Sequence, residues 1–555
     1  METYDAVVIG SGAAGACSAY EMANKGMKVL MLEKGPNRKT MDFHEGGVFG
    51  NPFTSRGRGD ELKFIREHYI MPNRKKEVRE LDYRDHTGKQ RKSGRTSYGW
   101  MSQLVGGGTI HYGGASFRYD RIDFEMEKLS EIARELEIKN NISQEHRMEL
   151  RSWPIEFNEL IKWYTKAEKD IGIAGAPESG LPPLPWNKAG ILIRRGLAMS
   201  NFANIDNTPM AINSAKHDGR DNCHMSGLCQ DYGCRFDAKS DMRVTLIKRA
   251  LATGNLTIKA ETFVRKLLYS QGKVTHVETV VGNPDEDAKV EIISCPILVI
   301  GCEAMETNRL MLASGLGNPD VVGKYIMFHM TGGARSIAPE KTNTWTIPPH
   351  TSYINTFYND HDHESNAPFL KTGVLLVSSN GGPLQASNYW GEKGRLYLNK
   401  VYPYKMDLSY IGDCMPVHSN KIELKGHDNR YGCPGTKITY RPHQFDHNAA
   451  VYMAEKAKKV LSLAGGLTED TVHDDRLRPF LDKSPTAHRL FHGCGGCRMG
   501  EDPKTSVVDR NCKVHGIDNL YITDASVFPT SGGRNPTLTI QAIAMKAGNH
   551  IATAH

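Results

Sequence analysis

The stretch from Asp5 to Gly35, DAVVIGSGAAGACSAYEMANKGMKVLMLEKG, constrains the fold more than any other part of the chain. Ala6 to Ile9 is short, apolar and β-branched. Gly10, Gly12 and Gly15 form G-x-G-x-x-G, and Ala13 to Ala23 is small and helix-forming. Lys25-Gly26 closes that helix, and Val29 to Leu32 reads as a second buried strand ending in Glu33. Gly10 allows the tight turn, Gly12 lets a pyrophosphate approach the backbone, and Gly15 lets helix and strand pack closely. The phosphates then sit on the helix N-terminus, where unpaired amides and the dipole favour an anion. Glu33 lies 23 residues after Gly10, where a carboxylate can take adenosine ribose hydroxyls. The unit predicts an α/β nucleotide fold and an ADP-bearing cofactor, without specifying which dinucleotide.

A chain of 555 residues is too long for one core and long enough for two or three. No apolar run approaches the roughly 18 residues of a membrane span, so no direct span is expected. The first strand begins within a few residues of Met1, so no signal peptide is expected either. That reading puts the protein in the cytoplasm, or in the periplasm if it is exported with a partner subunit. The net charge of +7 is modest, and Arg74-Lys75-Lys76 lies beside Glu77 and Glu80. A solvated surface, not a nucleic-acid patch, is expected there. Eleven cysteines without a signal do not read as a disulfide framework.

Between Gly35 and Met101 the sequence is polar and irregular, which predicts an excursion of loops or a cap. The run LVGGGTIHYGGASF, Leu104 to Phe117, marks the return. Gly106, Gly107 and Gly108 before Thr109 keep side chains away from something flat, and a flavin ring fits. Trp153 to Gly172 has helical spacing, and the prolines between Gly175 and Trp186 suggest a linker. Lys239 to Ala304 reads as a helix then strands, the last, Ile297 to Ile300, running into a second strand-to-helix crossover. Lys324 to Asp482 alternates strands with turns, Gly373 to Ser378 and Arg395 to Val401 among the strands, and predicts a largely antiparallel sheet.

The C-terminal block holds FHGCGGCRMG at Phe491 to Gly500, then NLYITDASVFPTSGGRNPTLTIQAIAMKAG from Asn519. Leu520 to Thr523 reads as a strand, Asp524-Ala525-Ser526 as a turn, and Thr537 as the start of a helix. The order of a Gly-rich nucleotide turn, a GGGT loop, HGxGxCRMG, a D-A-S strand end and a G-x-N-P-T helix start resembles the glucose-methanol-choline (GMC) family of flavin oxidoreductases. The resemblance implies FAD, an α/β (α+β overall) architecture, and a Rossmann-like FAD-binding domain interleaved with an antiparallel-sheet substrate domain. The expected division gives 1–35, 100–125, 220–320 and 485–555 to FAD, 36–99 to the excursion, and 126–219 and 321–484 to substrate. It also implies that His492 is the active-site histidine, Asn535 the second active-site residue, and Asp524-Ala525 the turn meeting the FAD phosphates.

Chemistry points the same way. Removing a hydride from an alcohol leaves a proton on oxygen, and imidazole is its usual acceptor. Asn535 can hold the same hydroxyl without titrating. In some family members similar to pyranose oxidases, a histidine placed like His111 ties the flavin covalently, but Tyr112 stands here where they have Trp, and simple proximity to the ring is the preferred reading. Cys223, Cys229 and Cys234 fall within twelve residues and could ligate a [3Fe-4S] cluster, or zinc with His224. This loop resembles that of the large subunits of gluconate, fructose, sorbitol and glucose dehydrogenases, which implies a small subunit and a cytochrome acceptor. Ser226 and Asp237 depart from that pattern. Cys494 and Cys497 read as packing beside the flavin, and His329 in MFHM as a core or substrate-domain histidine.

The expected activity is FAD-dependent oxidation of a secondary hydroxyl of a sugar, glycoside or sugar acid to a ketone, with electrons passed to an acceptor other than NAD. An oxygen-using pyranose or glycoside oxidase is the alternative. A flavin-bearing RNA-modifying protein and a plain nicotinamide dehydrogenase are more remote.

Overall fold

The computed structural model of the protein describes residues 3–40, 42, 79–95, 102–227, 229–230, 232–284, 286–379, 389–481 and 490–555. Strand β1 (Ala6–Ile9) is central in a five-stranded, wholly parallel sheet. On one side lies β2 (Val29–Leu32) and then Leu256–Lys259; on the other, Leu298–Ile300 and then Leu520–Ile522. Every residue of β1 and β2 is buried, as expected of parallel strands covered on both faces. Helix α1 (Ala13–Asn24) packs on the C-terminal helix Thr537–Ala554 so closely that a Cβ on Gly548 would lie 2.7 Å from the Ser18 carbonyl oxygen.

Two further large sheets follow. Met330–Ile337, Lys405–Gly412, Gly373–Ser378, Ser352–Ile354 and Asp206–Asn207 form an antiparallel sheet covered by the helix Gln444–Leu463. A six-stranded sheet runs in the order Cys494–Gly496, Lys324–Met327, Lys421–Asp428, Pro434–Tyr440, Arg79–Arg84 and Gln90–Arg95. An antiparallel three-stranded meander spans Thr262–Ser270, Lys273–Val281 and Lys289–Ser294.

Two expectations need correction. The polar excursion is not all loop, because Arg79–Arg84 and Gln90–Arg95 form a hairpin that pairs in parallel with Pro434–Tyr440. Only Leu81 of that hairpin is a buried apolar side chain, so its strands carry little hydrophobic signal. Most of the rest of the excursion, with Arg74-Lys75-Lys76, lies outside the described residues. The expected strand at Arg395 to Val401 is helical, spanned by Gly391–Leu396 and Tyr397–Val401. Leu396, Tyr397 and Val401 all pack in the cluster around Phe480, a helical spacing that the alternation of RLYLNKV disguises.

One buried ionic cluster joins the layers. The Lys371 ammonium lies 2.7 Å from Asp123 Oδ1 and 3.0 Å from Asp413 Oδ2, with all three side chains almost wholly buried. Tyr358 donates to Asp123 Oδ2 at 2.7 Å and offers its ring face to the ammonium at 4.3 Å. Ser531 Oγ donates to Asp413 Oδ1 at 2.6 Å. Two carboxylates and a phenol raise the lysine pKa although burial opposes them. Removing one partner of a buried ion pair typically costs about 3 to 5 kcal/mol. Lys371→Met is therefore expected to lower unfolding stability by an amount in that range, and a denaturation midpoint equal to wild type would contradict it.

Candidate active site

The nucleotide turn sits at the carboxyl ends of the parallel strands. Gly10 follows β1, Glu33 follows β2, Gly301 follows Leu298–Ile300, and Asp524 follows Leu520–Ile522 closely. In an open parallel sheet this is the edge where ligands bind. A Cβ at Gly15 would lie 2.0 Å from the Gly10 carbonyl oxygen, so helix and turn touch there. In front of Gly12 the backbone is bare, and a Cβ there would meet only the Gly107 Cα, at 3.9 Å. Gly107 has φ +55°, and its own Cβ would press to 2.7 Å on the Gly12 Cα. The two glycine turns thus face each other across backbone alone.

Ser11 couples them. Its amide and hydroxyl donate to Glu33 Oε2 at 3.1 and 2.6 Å, its Oγ accepts from the Gly106 amide at 3.0 Å, and Gly35 N donates to Glu33 Oε1 at 2.9 Å. Burial nonetheless raises the Glu33 pKa. Thr109 Oγ1 donates to the Gly106 carbonyl at 2.6 Å and accepts from the Met242 amide at 3.0 Å, which fixes the turn Gly107–Ile110. Gly108 is exposed, and His111 is buried where this turn ends. Asp524 caps the turn Ala525–Val527 and accepts a hydrogen bond from the Thr307 hydroxyl; burial raises its pKa. Thr537 opens the C-terminal helix behind α1. A bare glycine turn at a helix N-terminus, a preset acid and a second glycine turn facing the first suit a dinucleotide and a flat ring, so the residues present fit FAD.

The second cluster is formed by histidines. His492 Nδ1 and His329 Nδ1 are 3.0 Å apart, with the rings nearly perpendicular at 83°. His329 is fully buried, and its Nε2 lies 3.2 Å from the Ser531 carbonyl oxygen. Burial pushes the pKa of both rings down, that of His492 well below 6.5 and further by the neighbouring His329. His492 adopts φ 56°, a left-handed conformation that costs a non-glycine residue on the order of 1 kcal/mol. Asn535 lies four residues beyond Ser531, and its Oδ1 is buried without a hydrogen-bond partner among the described residues. His492 and the Ser531–Asn535 turn are thus connected through His329. His329 is the core histidine that its apolar run Ile326 to Met330 suggested, and as a buried imidazole it needs the partners it has; Ser11 and Ser531 carried no such signal.

The cysteine groups are placed differently. Cys494 Sγ faces the Met327 carbonyl at 3.8 Å and Cys497 Sγ faces Asn308 Oδ1 at 3.6 Å, two separate buried contacts. Cys223 Sγ accepts from the Met225 amide at 3.4 Å, and Cys229 is buried. Lys239 Nζ donates to the carbonyls of Cys229 and Tyr232 at 2.6 and 2.7 Å and so organises the loop. Burial raises the Cys223 pKa and pushes that of Cys229 up to about 12. Among the described residues no three His, Cys, Asp or Glu side chains are arranged to hold a metal ion. The loop as folded does not fit an iron-sulfur or zinc site.

Residues 205–331 and 416–544 match the N-terminal and C-terminal GMC oxidoreductase domains, and residues 5–61 match an FAD-binding domain. Paromamine 6'-oxidase of Streptomyces fradiae is 28% identical over 99% of this chain and 91% of its own. The gluconate 2-dehydrogenase flavoprotein of Pantoea cypripedii is 23% identical over 98% and 92%. The crystal structure of pyridoxine 4-oxidase from Mesorbium loti shares the fold, with a TM-score of 0.63 at 17% identity over 100% of both chains. Among the described residues no helix is long and apolar enough to cross a membrane.

Unfolded, His492 takes a proton at its ordinary 6.5; folded, it does so only well below that. Its contribution to stability is intact above pH 6.5 and is lost as the pH falls. Between about pH 7.5 and about pH 5, wild type should lose more stability than His492→Gln in paired urea titrations. Equal losses would mean that the ring is not held neutral.

Proposed function

We propose that this chain, which belongs to the GMC oxidoreductase family through both of its family domains, oxidises a hydroxyl of a sugar, glycoside or sugar acid. The resemblance favours a secondary hydroxyl, giving a ketone. The observation that carries the reading is the half-buried imidazole of His492, its Nδ1 3.0 Å from His329 Nδ1 and so tied through His329 to the turn that presents Asn535; burial also lowers its pKa. A neutral ring can take the hydroxyl proton, while the Asn535 amide holds the same hydroxyl in line. Bound FAD would supply the hydride acceptor for the carbon-bound hydrogen. The turn shaped by Gly10 and Gly15 would let its pyrophosphate approach at Gly12, with Asp524 and Ala525 meeting the phosphates, Glu33 its ribose, and Gly106 to Thr109 with His111 its ring. Thr537 opens a helix at the same edge.

The names of relatives support the substrate class: one acts on paromamine and another on gluconate. We assign the electrons to an acceptor other than NAD. A small subunit and a cytochrome would accompany the dehydrogenase reading, as the resemblance of the cysteine loop implies. Oxygen is the second reading, favoured by the oxidase name of the Streptomyces fradiae relative. No electron route through Cys223, Cys229 and Cys234 is assigned.

His492→Ala with flavin bound is expected to lower kcat by about 10²- to 10⁴-fold, the usual contribution of a general base. Near-normal turnover would remove His492 from the mechanism. A panel of sugars, glycosides and sugar acids, assayed in parallel for dye reduction and for peroxide, separates the two acceptors. A colourless protein active only with added NAD would sink the flavin assignment. Elemental analysis of the purified flavoprotein should find no stoichiometric iron; three irons per chain would restore the cluster.

A further inference from the structure

We infer that His329 is a positioning residue which holds His492 in the Nδ1–H tautomer, leaving Nε2 as the ring nitrogen that takes the substrate proton. The inference rests on the reading of His492 as the base, and it follows from counting protons along one line of contacts. A carbonyl oxygen carries no proton, so a ring nitrogen facing it must be the donor. His329 Nε2 faces the Ser531 carbonyl at 3.2 Å, so Nε2 bears the hydrogen. A neutral ring has one such hydrogen, which leaves His329 Nδ1 bare. That bare nitrogen lies 3.0 Å from His492 Nδ1, and two lone pairs at this distance would repel. His492 must therefore carry its hydrogen on Nδ1, and its Nε2 is the free base.

The Ser531 carbonyl is itself fixed from several sides. Tyr119 donates its hydroxyl to the same oxygen. Ser531 Oγ donates to Asp413 at 2.6 Å and accepts from the Cys414 amide at 2.9 Å, and Asp413 is held by Lys371 at 3.0 Å. The tautomer of the base is thus set by a backbone oxygen two contacts away, and that oxygen is anchored on the buried ionic cluster. When His492 Nε2 accepts a proton, its Nδ1–H remains directed at the His329 lone pair. The resulting imidazolium keeps an acceptor, with the Asp413 carboxylate behind it. No acidic side chain is needed against His492 itself.

Long-range proton–nitrogen correlation on the flavin-loaded, 15N-histidine-labelled protein reads the tautomers directly, with His492 signals identified by their loss in His492→Gln. Wild type should show His492 protonated at Nδ1 and bare at Nε2, and His329 the reverse. In His329→Phe, His492 should revert to Nε2–H, with kcat at least about tenfold lower and KM within about twofold. In His329→Asn, whose amide oxygen takes the place of Nδ1, the Nδ1–H form and most of kcat should return. Wild-type His492 protonated at Nε2 would overturn the inference even if His492→Ala is inactive. So would a folded, flavin-loaded His329→Phe with unchanged tautomer or kcat.

Discussion

Three remote stretches of the chain meet at one buried ammonium. Lys371 holds Asp123, from the helix that follows the glycine loop, and Asp413, from the end of the long central strand. Through Asp413 it holds Ser531 of the C-terminal block. Burying three charges is unfavourable unless their partners are in place, so the contact forms only when all three stretches have docked correctly. This makes the cluster a condition of the native arrangement more than a source of raw stability. The catalytic proposal depends on the same condition, because the Ser531 carbonyl faces His329.

The two halves of the candidate site differ in how they are held. The nucleotide half is a backbone surface organised by small residues: Gly12 and Gly107 face each other, and Ser11 spans between Glu33 and Gly106. Its acid, Glu33, is held by Ser11 and Gly35, so the ribose contact proposed for it would need little rearrangement. The histidine half joins the fully buried His329 to the half-buried His492, which sits in a strained setting at positive φ. Such strain persists only where neighbours over-determine it. Here those neighbours are the Phe491 ring edge-on to His492 and the contact to His329.

What was legible in the sequence follows from range. β1, α1 and β2 were readable because a glycine turn, a small-residue helix and two buried strands are local patterns. His492 and Asn535 stand out in the sequence because their surroundings carry a family signature, and their roles remain those proposed above. The hairpin at Arg79 to Arg95 was not, since its strands are polar and owe their place to pairing with residues some 350 positions later. The helix around Tyr397 was misread because alternation over seven residues can satisfy two periods, and packing against Phe480 decides between them. His329 was underrated for the same reason. A histidine among methionines and phenylalanine looks like filler until its two nitrogens are seen to have partners. The cysteine loop shows a different limit: three thiols close in sequence suggested ligands, but among the described residues they do not converge on a metal site, and Lys239 organises their backbone.

The strand order has a consequence for how the protein is made. Leu298–Ile300 lies between β1 and Leu520–Ile522, so its outer edge stays open until the chain has been synthesised past residue 522. The hairpin near the start waits equally long for Pro434–Tyr440, and its sheet is closed at the far side only by Cys494–Gly496. An emerging chain therefore carries unpaired strand edges through most of translation, and such edges invite pairing with other chains. Ribosome-bound intermediates of this protein are the stage at which chaperones have most to shield.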